Sequence, residues 1–317
     1  MDRRSFLRLS AASLGTGALL QFTPARAALS HFARRNGEAP TPFSFVQLSD
    51  THVGHPLGTN AFERAVDTIN ALDSQPDLIL FTGDLTHDSE KPGEHADRMR
   101  LFQKIAGRLR APRIRYVPGE HDAGLDGGAL FRDAFGESHY SFDHKGVHFI
   151  ALDNVSQGRP NVGPEQLAWL KKDIARFSTT TPLVVFTHRP LFDLRPDWEW
   201  FTGDGDEVMN LLTPYENVTV LYGHIHRHHE HTQGHATHYA ARSLIFAFPD
   251  PTAGVPKTPV PFDPQKPFAN LGVRALEEDA REKGSPSRPQ IEEIELTVRE
   301  YAGTVGIHQF LKEGVNL

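Results

Sequence analysis

The apolar run Val218-Thr219-Val220-Leu221 leads straight into Tyr222-Gly223-His224-Ile225-His226. In an extended segment residues two apart face the same side, so His224 and His226 can point to one place at the end of a strand. Two imidazoles so placed suit a metal ion, although a histidine pair of this spacing also occurs as ordinary core or surface residues. The choice between the two readings rests on what lies upstream.

Upstream, strands and helices alternate. Phe43 to Leu48 reads as a strand ending at Ser49-Asp50-Thr51-His52, and Ala61 to Leu72 has helical spacing. Asp77 to Phe81 is a nearly continuous apolar run, as expected of a strand covered on both faces, and it ends at Thr82-Gly83-Asp84. A helix from about Glu94 to Leu109 precedes the strand Ile114–Val117 and the turn Pro118-Gly119-Glu120-His121-Asp122. A pair of strands at His139–Asp143 and Val147–Leu152 surrounds a Lys145-Gly146 turn. There follow a helix from Pro164 to Phe177, the strand Leu183–Phe186 ending at Thr187-His188, and a helix over Asp206–Leu212.

Polar side chains thus follow the carboxyl ends of five strands: Asp50 and His52, Asp84, Glu120 to Asp122, His188, and His224 with His226. Ligands of open α/β sheets collect there, because the loops leaving the strands converge. Each residue alone has a plainer role, Asp84 as a helix cap or His188 as a core histidine. The ordered set points to a site.

The set resembles the calcineurin-like metallophosphoesterases, whose ordered motifs are Asp-x-His, Gly-Asp, Gly-Asn-His-Asp/Glu, an isolated His, and Gly-His-x-His. Four of the five are intact between Asp50 and His226. The resemblance implies an α/β (α+β) fold, a four-layer αββα sandwich of two mixed β-sheets flanked by helices, with a binuclear metal centre. It implies that Asp50, His52 and His226 hold one metal, His188 and His224 the other, and that Asp84 bridges them. His121 would act on the substrate, oriented by Asp122. Two transition-metal ions about 3.5–4 Å apart can share a hydroxide that attacks phosphorus directly. The bridge must be anionic and two-pronged, which a carboxylate is and an imidazole is not. Imidazole with carboxylate suits manganese, iron (Fe2+ or Fe3+) or zinc. An imidazolium at His121 can protonate the leaving alkoxide, and a carboxylate partner raises its pKa toward that role.

Position 120 departs from the motif, with Glu in place of Asn. With two divalent ions, two Asp carboxylates and a hydroxide the centre carries about +1, and a coordinating Glu120 takes it to about 0, a weaker Lewis acid. Either a trivalent iron restores the charge, or Glu120 swings away and leaves the second metal loosely held. The reading is a hydrolase of phosphodiester bonds, with cyclic nucleotides among the candidates. A phosphomonoesterase or nucleotidase of the same fold, or a non-catalytic metal-binding protein weakened by Glu120, is the alternative.

The flanks carry other signals. Arg3-Arg4 precede a short glycine-broken apolar run and Ala25-Arg26-Ala27 offers a small-x-small cleavage site, which resembles a twin-arginine export signal over residues 1–27. Residues 28–41 read as a linker, 42–250 as the catalytic domain, and 251–317 as a Pro-rich crossing and extension. The expected location is periplasmic or exported, with the twin-arginine machinery as a partner and no stable membrane anchor in the mature chain. A net charge of −7 argues against a broad nucleic-acid surface, so the expected partner at the site is a small phosphorylated substrate. Cysteine is absent, which excludes disulfides and thiolate ligands. Trp198, Trp200 and Phe201 read as packing residues rather than a substrate platform. Asn154 reads as a turn former. The histidines from 228 to 238 read as mostly solvated on a hairpin, with an accessory metal as the other possibility. Val273 to Lys283 reads as a charged helix, and Gln290 to Val298 as an edge strand.

Overall fold

Strand Leu78–Thr82 (β2) is buried at every position because it lies inside a sheet whose two faces are both covered. In the computed structural model, which describes residues 43–89, 91, 93–277 and 290–296, it pairs in parallel with Ser44–Leu48 (β1) and Ile114–Val117 (β3). Strand Gly272–Glu277 (β10) pairs antiparallel with the other side of β1, and Gln290–Glu295 (β11) forms the outer edge, giving the order β11-β10-β1-β2-β3. The second sheet runs Tyr140–His144 (β4), Val147–Ala151 (β5), Leu183–Phe186 (β6), Val218–Tyr222 (β7), Ala236–Ala240 (β9) and His229–Gln233 (β8). Strands β5, β6, β7 and β9 are parallel, while β4 and β8 are antiparallel edges.

Alternating side chains explain the layering. Phe45, Leu78 and Leu80 of the first sheet meet Phe149, Val184, Phe186 and Leu221 of the second. The opposite face of the first sheet, with Val46, Ile79 and Phe81, lies under helices Pro56–Asn70 (α1) and Glu94–Ala106 (α2). The opposite face of the second, with Ile150, Val185 and Val220, lies under Pro164–Ile174 (α5) and Gly205–Leu212 (α6). Short helices Glu120–Ala123 (α3) and Ala129–Phe135 (α4) follow β3. This is the expected arrangement of two mixed sheets with flanking helices. Helix α1 begins ahead of the expected Ala61, because Pro56 suits its first turn and the His55 imidazole accepts from Leu57 N–H.

The tail differs from its reading. Residues 273–277, expected to be helical, form β10, and Arg274 is why the strand was hidden. Arg274 is fully buried, with its guanidinium donating to Glu293 Oε1 at 2.5 Å and to Ala240 O at 2.6 Å, so a charged side chain occupies an inward position of a strand. β11 is an edge strand, as expected. The export signal, the linker, and the remaining tail expectations at 278–289 and beyond 296 lie outside the described residues. Among the described residues no helix is long and apolar enough to cross a membrane.

The sheets are stitched together at the carboxyl ends of β1, β2, β6 and β7. Gln47 Nε2 donates to Tyr222 O at 3.0 Å and to Thr82 Oγ1 at 3.1 Å. His188 Nδ1 reaches Thr82 O at 2.7 Å. The loops that follow these strands meet one another directly.

Candidate metal centre

Backbone conformation aims the side chains. Asp50, His52, Asp84, His224 and His226 have φ of 53°, 43°, 49°, 66° and 52°. Left-handed conformations at non-glycine residues cost about 1–3 kcal/mol each and persist only where the surroundings impose them. Here the loops pin one another, with Asp50 N–H donating to Gly83 O, His52 N–H to Asp84 O, and Gly223 N–H to His188 O. Two motif glycines are required by close approach. A Cβ at Gly119 would stand 2.1 Å from Asp84 Oδ1, and one at Gly223 would stand 1.8 Å from Ser49 Oγ.

Three groups of donor atoms result among the described residues, one of them the imidazoles of His52, His87 and His121 with no carboxylate, and the other two share Asp84. Of the two that share it, Asp50, His52, Asp84 and His226 form one, and Asp84, Glu120, His188 and His224 the other, each with its ligand atoms within 4.8 Å of one another. His226 Nε2 is 3.2 Å from Asp50 Oδ1, and His52 Nε2 is 3.5 Å from Asp84 Oδ2. His188 Nε2 is 3.3 Å from Asp84 Oδ2 and 2.8 Å from Glu120 Oε2, while His224 Nδ1 is 2.8 Å from Glu120 Oε1. Glu120 therefore turns inward between the two imidazoles rather than swinging away.

The donor set fits cations. His52 Nε2, His188 Nε2 and Glu120 Oε2 are buried without a hydrogen-bond partner among the described residues, although their neighbours are close. Atoms that converge without hydrogen-bond geometry are what an ion between them would satisfy. The opposite ring nitrogens are already committed: His188 Nδ1 to Thr82 O, His226 Nδ1 to Phe246 O at 3.0 Å, and His224 Nε2 to Glu199 O at 3.1 Å. Each carbonyl holds the proton on the outer nitrogen and leaves the inner one bare, the usual support for a metal-binding histidine.

Electrostatics agree. Burial holds His52 well below the usual imidazole range against the pull of Asp84, and burial likewise lowers His224 against Glu120, so both favour the neutral form that binds metal. For His188 burial is outweighed by Asp84 and Glu120, and its pKa rises well above the usual value. Two carboxylates closing on this nitrogen call for a positive charge.

His121 stands at the rim, its backbone N–H donating to Asp84 Oδ1 at 3.0 Å and its ring 4.7 Å from that of His52. Burial works against its charge, but Asp84, the hydrogen-bonded Asp88 and Glu120 prevail and push it up to about 10. One expectation is corrected here. The carboxylate on His121 Nδ1 is Asp88, at 2.7 Å, not Asp122. Asp122 turns back as the third residue of α3 and accepts from the backbone of Gly119, Leu85 and Thr86 and from the Thr86 hydroxyl. It ties the Gly119 turn to the Asp84 loop.

Sequence reasoning missed three residues. His87 and Asp88 follow Asp84 in its own loop, a signal that was present, and Arg189 follows His188. The Arg189 guanidinium is buried, 3.4 Å from Glu120 Oε1, and donates to Glu199 O at 2.9 Å. Asn154 is buried and forms no turn of its own. It donates to Arg189 O and Thr202 Oγ1 and accepts from Arg189 N–H, fastening the loop that carries Arg189. Trp198 and Trp200 are packing residues as expected, clustered with Tyr222 and Ile225. On the hairpin, His238 is fully buried, facing His231 and Phe192, while His229 bonds the Tyr222 hydroxyl.

A family model described as calcineurin-like phosphoesterase matches residues 43–228, the span that carries every residue of these donor groups. The chain belongs to this family. As a calcineurin-like phosphoesterase it is a hydrolase of phosphate ester bonds in a metal-dependent family. It is 29% identical over 201 residues to a probable glycerophosphodiester phosphodiesterase of Arcobacter nitrofigilis, covering 57% of this chain and 71% of the relative. It is 26% identical over 222 residues to a 3′,5′-cyclic adenosine monophosphate phosphodiesterase of Pseudomonas aeruginosa, covering 64% and 76%. In fold it is similar to a dimetal phosphatase from Danio rerio, with a TM-score of 0.54, 12% identity, and coverage of 81% and 100%.

Proposed function

We propose that this phosphoesterase is a binuclear metal-dependent phosphodiesterase acting on small phosphodiesters, cyclic nucleotides among them. The observation that carries the reading is the pair of donor groups sharing Asp84. Asp50, His52 and His226 would hold one ion, and Glu120, His188 and His224 the other, with Asp84 contributing to both. Manganese, iron and zinc suit these nitrogen and oxygen donors. Such ions, when bound, supply Lewis acidity at the phosphoryl oxygens and acidify water.

The chain's own groups do the rest. Asp88 holds the His121 proton at Nδ1, which orients Nε2 to deliver its proton to the leaving alkoxide. Asp84 accepts from the His121 backbone N–H, which ties the backbone of the acid to the shared carboxylate. Glu120 adds a third carboxylate, and each added negative charge disfavours a dianionic monoester more than a monoanionic diester. The named phosphodiesterases among the relatives support the same preference.

The test is hydrolysis of bis(p-nitrophenyl) phosphate against p-nitrophenyl phosphate by metal-free protein, then by protein reloaded with manganese, iron or zinc. Diester cleavage should return with metal and exceed monoester cleavage. Cleavage of the monoester alone overturns the diester preference, and silence on both with every metal overturns the catalytic reading. Export through the twin-arginine pathway is part of the proposal, motivated by Arg3-Arg4 ahead of the apolar run. Replacing both arginines by lysine should keep the full-length chain in the cytoplasm, and unchanged export would refute it.

A further inference from the structure

Three histidines of the donor groups hand their outer N–H to a backbone carbonyl. His52 does not. Its Nδ1 lies 3.3 Å from Nδ1 of His87, a side chain that is only partly buried and is assigned no role by the motifs. The tautomers follow from the site. His52 Nε2 is the nitrogen that faces Asp84 and lacks a hydrogen-bond partner, so it is the one available to an ion and carries no proton. A neutral imidazole then bears its proton on Nδ1, which makes His52 the donor and His87 Nδ1 the acceptor.

We propose that His87 is the positioning residue of the first metal site, accepting the His52 Nδ1 proton and thereby fixing the ring and its tautomer. The inference rests on the binuclear reading above. Its own placement is well defined: His87 N–H donates to Val53 O at 3.0 Å, within the bridge that joins the Asp50 loop to the Asp84 loop through Val53 and Thr86. The ring is further held between those of His55 and His121, with centroids at 5.6 and 5.3 Å. A side-chain acceptor, unlike a carbonyl, can be changed by substitution, so this support can be tested at a single position.

Manganese binding to the metal-free full-length protein is measured by the loss of the free-ion paramagnetic signal, with fold checked by circular dichroism in the same buffer. Wild type should take up two equivalents. His87→Leu, which removes the acceptor, should weaken one of the two by about 10–100-fold and leave the other unchanged. His87→Asn places an amide oxygen near the position of Nδ1 without a ring, and should restore affinity to within about threefold of wild type, as expected if the acceptor is what supports the ligand. Equal weakening by both variants would show that the ring stack and not the acceptor matters, overturning the proposal. So would two undisturbed sites in His87→Leu, or a third equivalent in wild type that this variant loses, since an ion between His52 and His87 excludes the hydrogen bond. Wild type that binds no metal refutes the binuclear reading instead, so the two failures are distinguishable.

Discussion

The half-buried Glu120 and the buried Arg189 form a pair whose energetic coupling can be worked out and measured. The guanidinium Nη2 is 3.4 Å from Glu120 Oε1. At that separation two unit charges attract by about 5 kcal/mol at an effective dielectric near 20. Desolvation of both groups offsets much of this, and Arg189 also donates to Glu199 O, so a net coupling of about 1–3 kcal/mol is expected. The perturbation is a double-mutant cycle with the isosteric Glu120→Gln and with Arg189→Met. The bond to Glu199 is lost in both arms that carry Arg189→Met and cancels. Arg189→Met leaves Glu120 without its guanidinium and Glu120→Gln leaves the buried Arg189 without its carboxylate, whereas the double change removes both charges. Urea unfolding of the four proteins, with slopes compared to confirm a common mechanism, measures the coupling. Single effects that sum to the double within about 0.5 kcal/mol would refute the pairing. A positive result would also bear on metal choice, because Arg189 compensates the third carboxylate without a trivalent ion.

Three other outcomes are expected. His121→Ala should lower kcat by about 10²–10⁴-fold while metal content, measured by elemental analysis, stays at the wild-type value. Asp88→Asn removes a carboxylate that raises the His121 pKa; because His121 acts in its protonated form, populated below its pKa of about 10, the alkaline limb of the rate profile should move to lower pH, and an unmoved limb would remove His121 as the acid. Chelation should lower the melting temperature: two sites filled at about 100 times their dissociation constants contribute about 5 kcal/mol, or roughly 10–20 °C for a domain of this size, so an unchanged melt would count against metal binding to the folded state.

Much of the centre was legible because its ligands sit at strand ends, where apolar runs stop and polar residues begin. Asp50, Asp84, His188 and His224 each follow such a run directly, and the structure brings all of them together. What was not legible depends on contacts across the fold. Asp122 is adjacent to His121 in sequence, but its position in the first turn of α3 points it at orphan N–H groups of its own turn and of the Asp84 loop. Asp88, 33 residues away from His121, takes the part that adjacency suggested. Arg189 could be noticed beside His188, but the inward turn of Glu120 is what gives its guanidinium a carboxylate partner. Strand β10 escaped because Arg274, buried and paired with Glu293 of β11, puts a charged residue where alternation predicts an apolar one.

Strand β1, which delivers Asp50 and His52, is hydrogen-bonded on one side by β2 and on the other by β10, whose residues come more than two hundred positions later. During synthesis, β1 therefore waits as an unpaired edge until residue 277 has left the ribosome, at about 5–20 residues per second a delay of tens of seconds. Until then its exposed N–H and C=O groups are open to pairing with other chains. Final closure of the sheet beside the centre is thus timed by the far end of the chain. Nascent chains ending before Gly272 should be captured by chaperones, and those extending past β11 should be the first to retain metal.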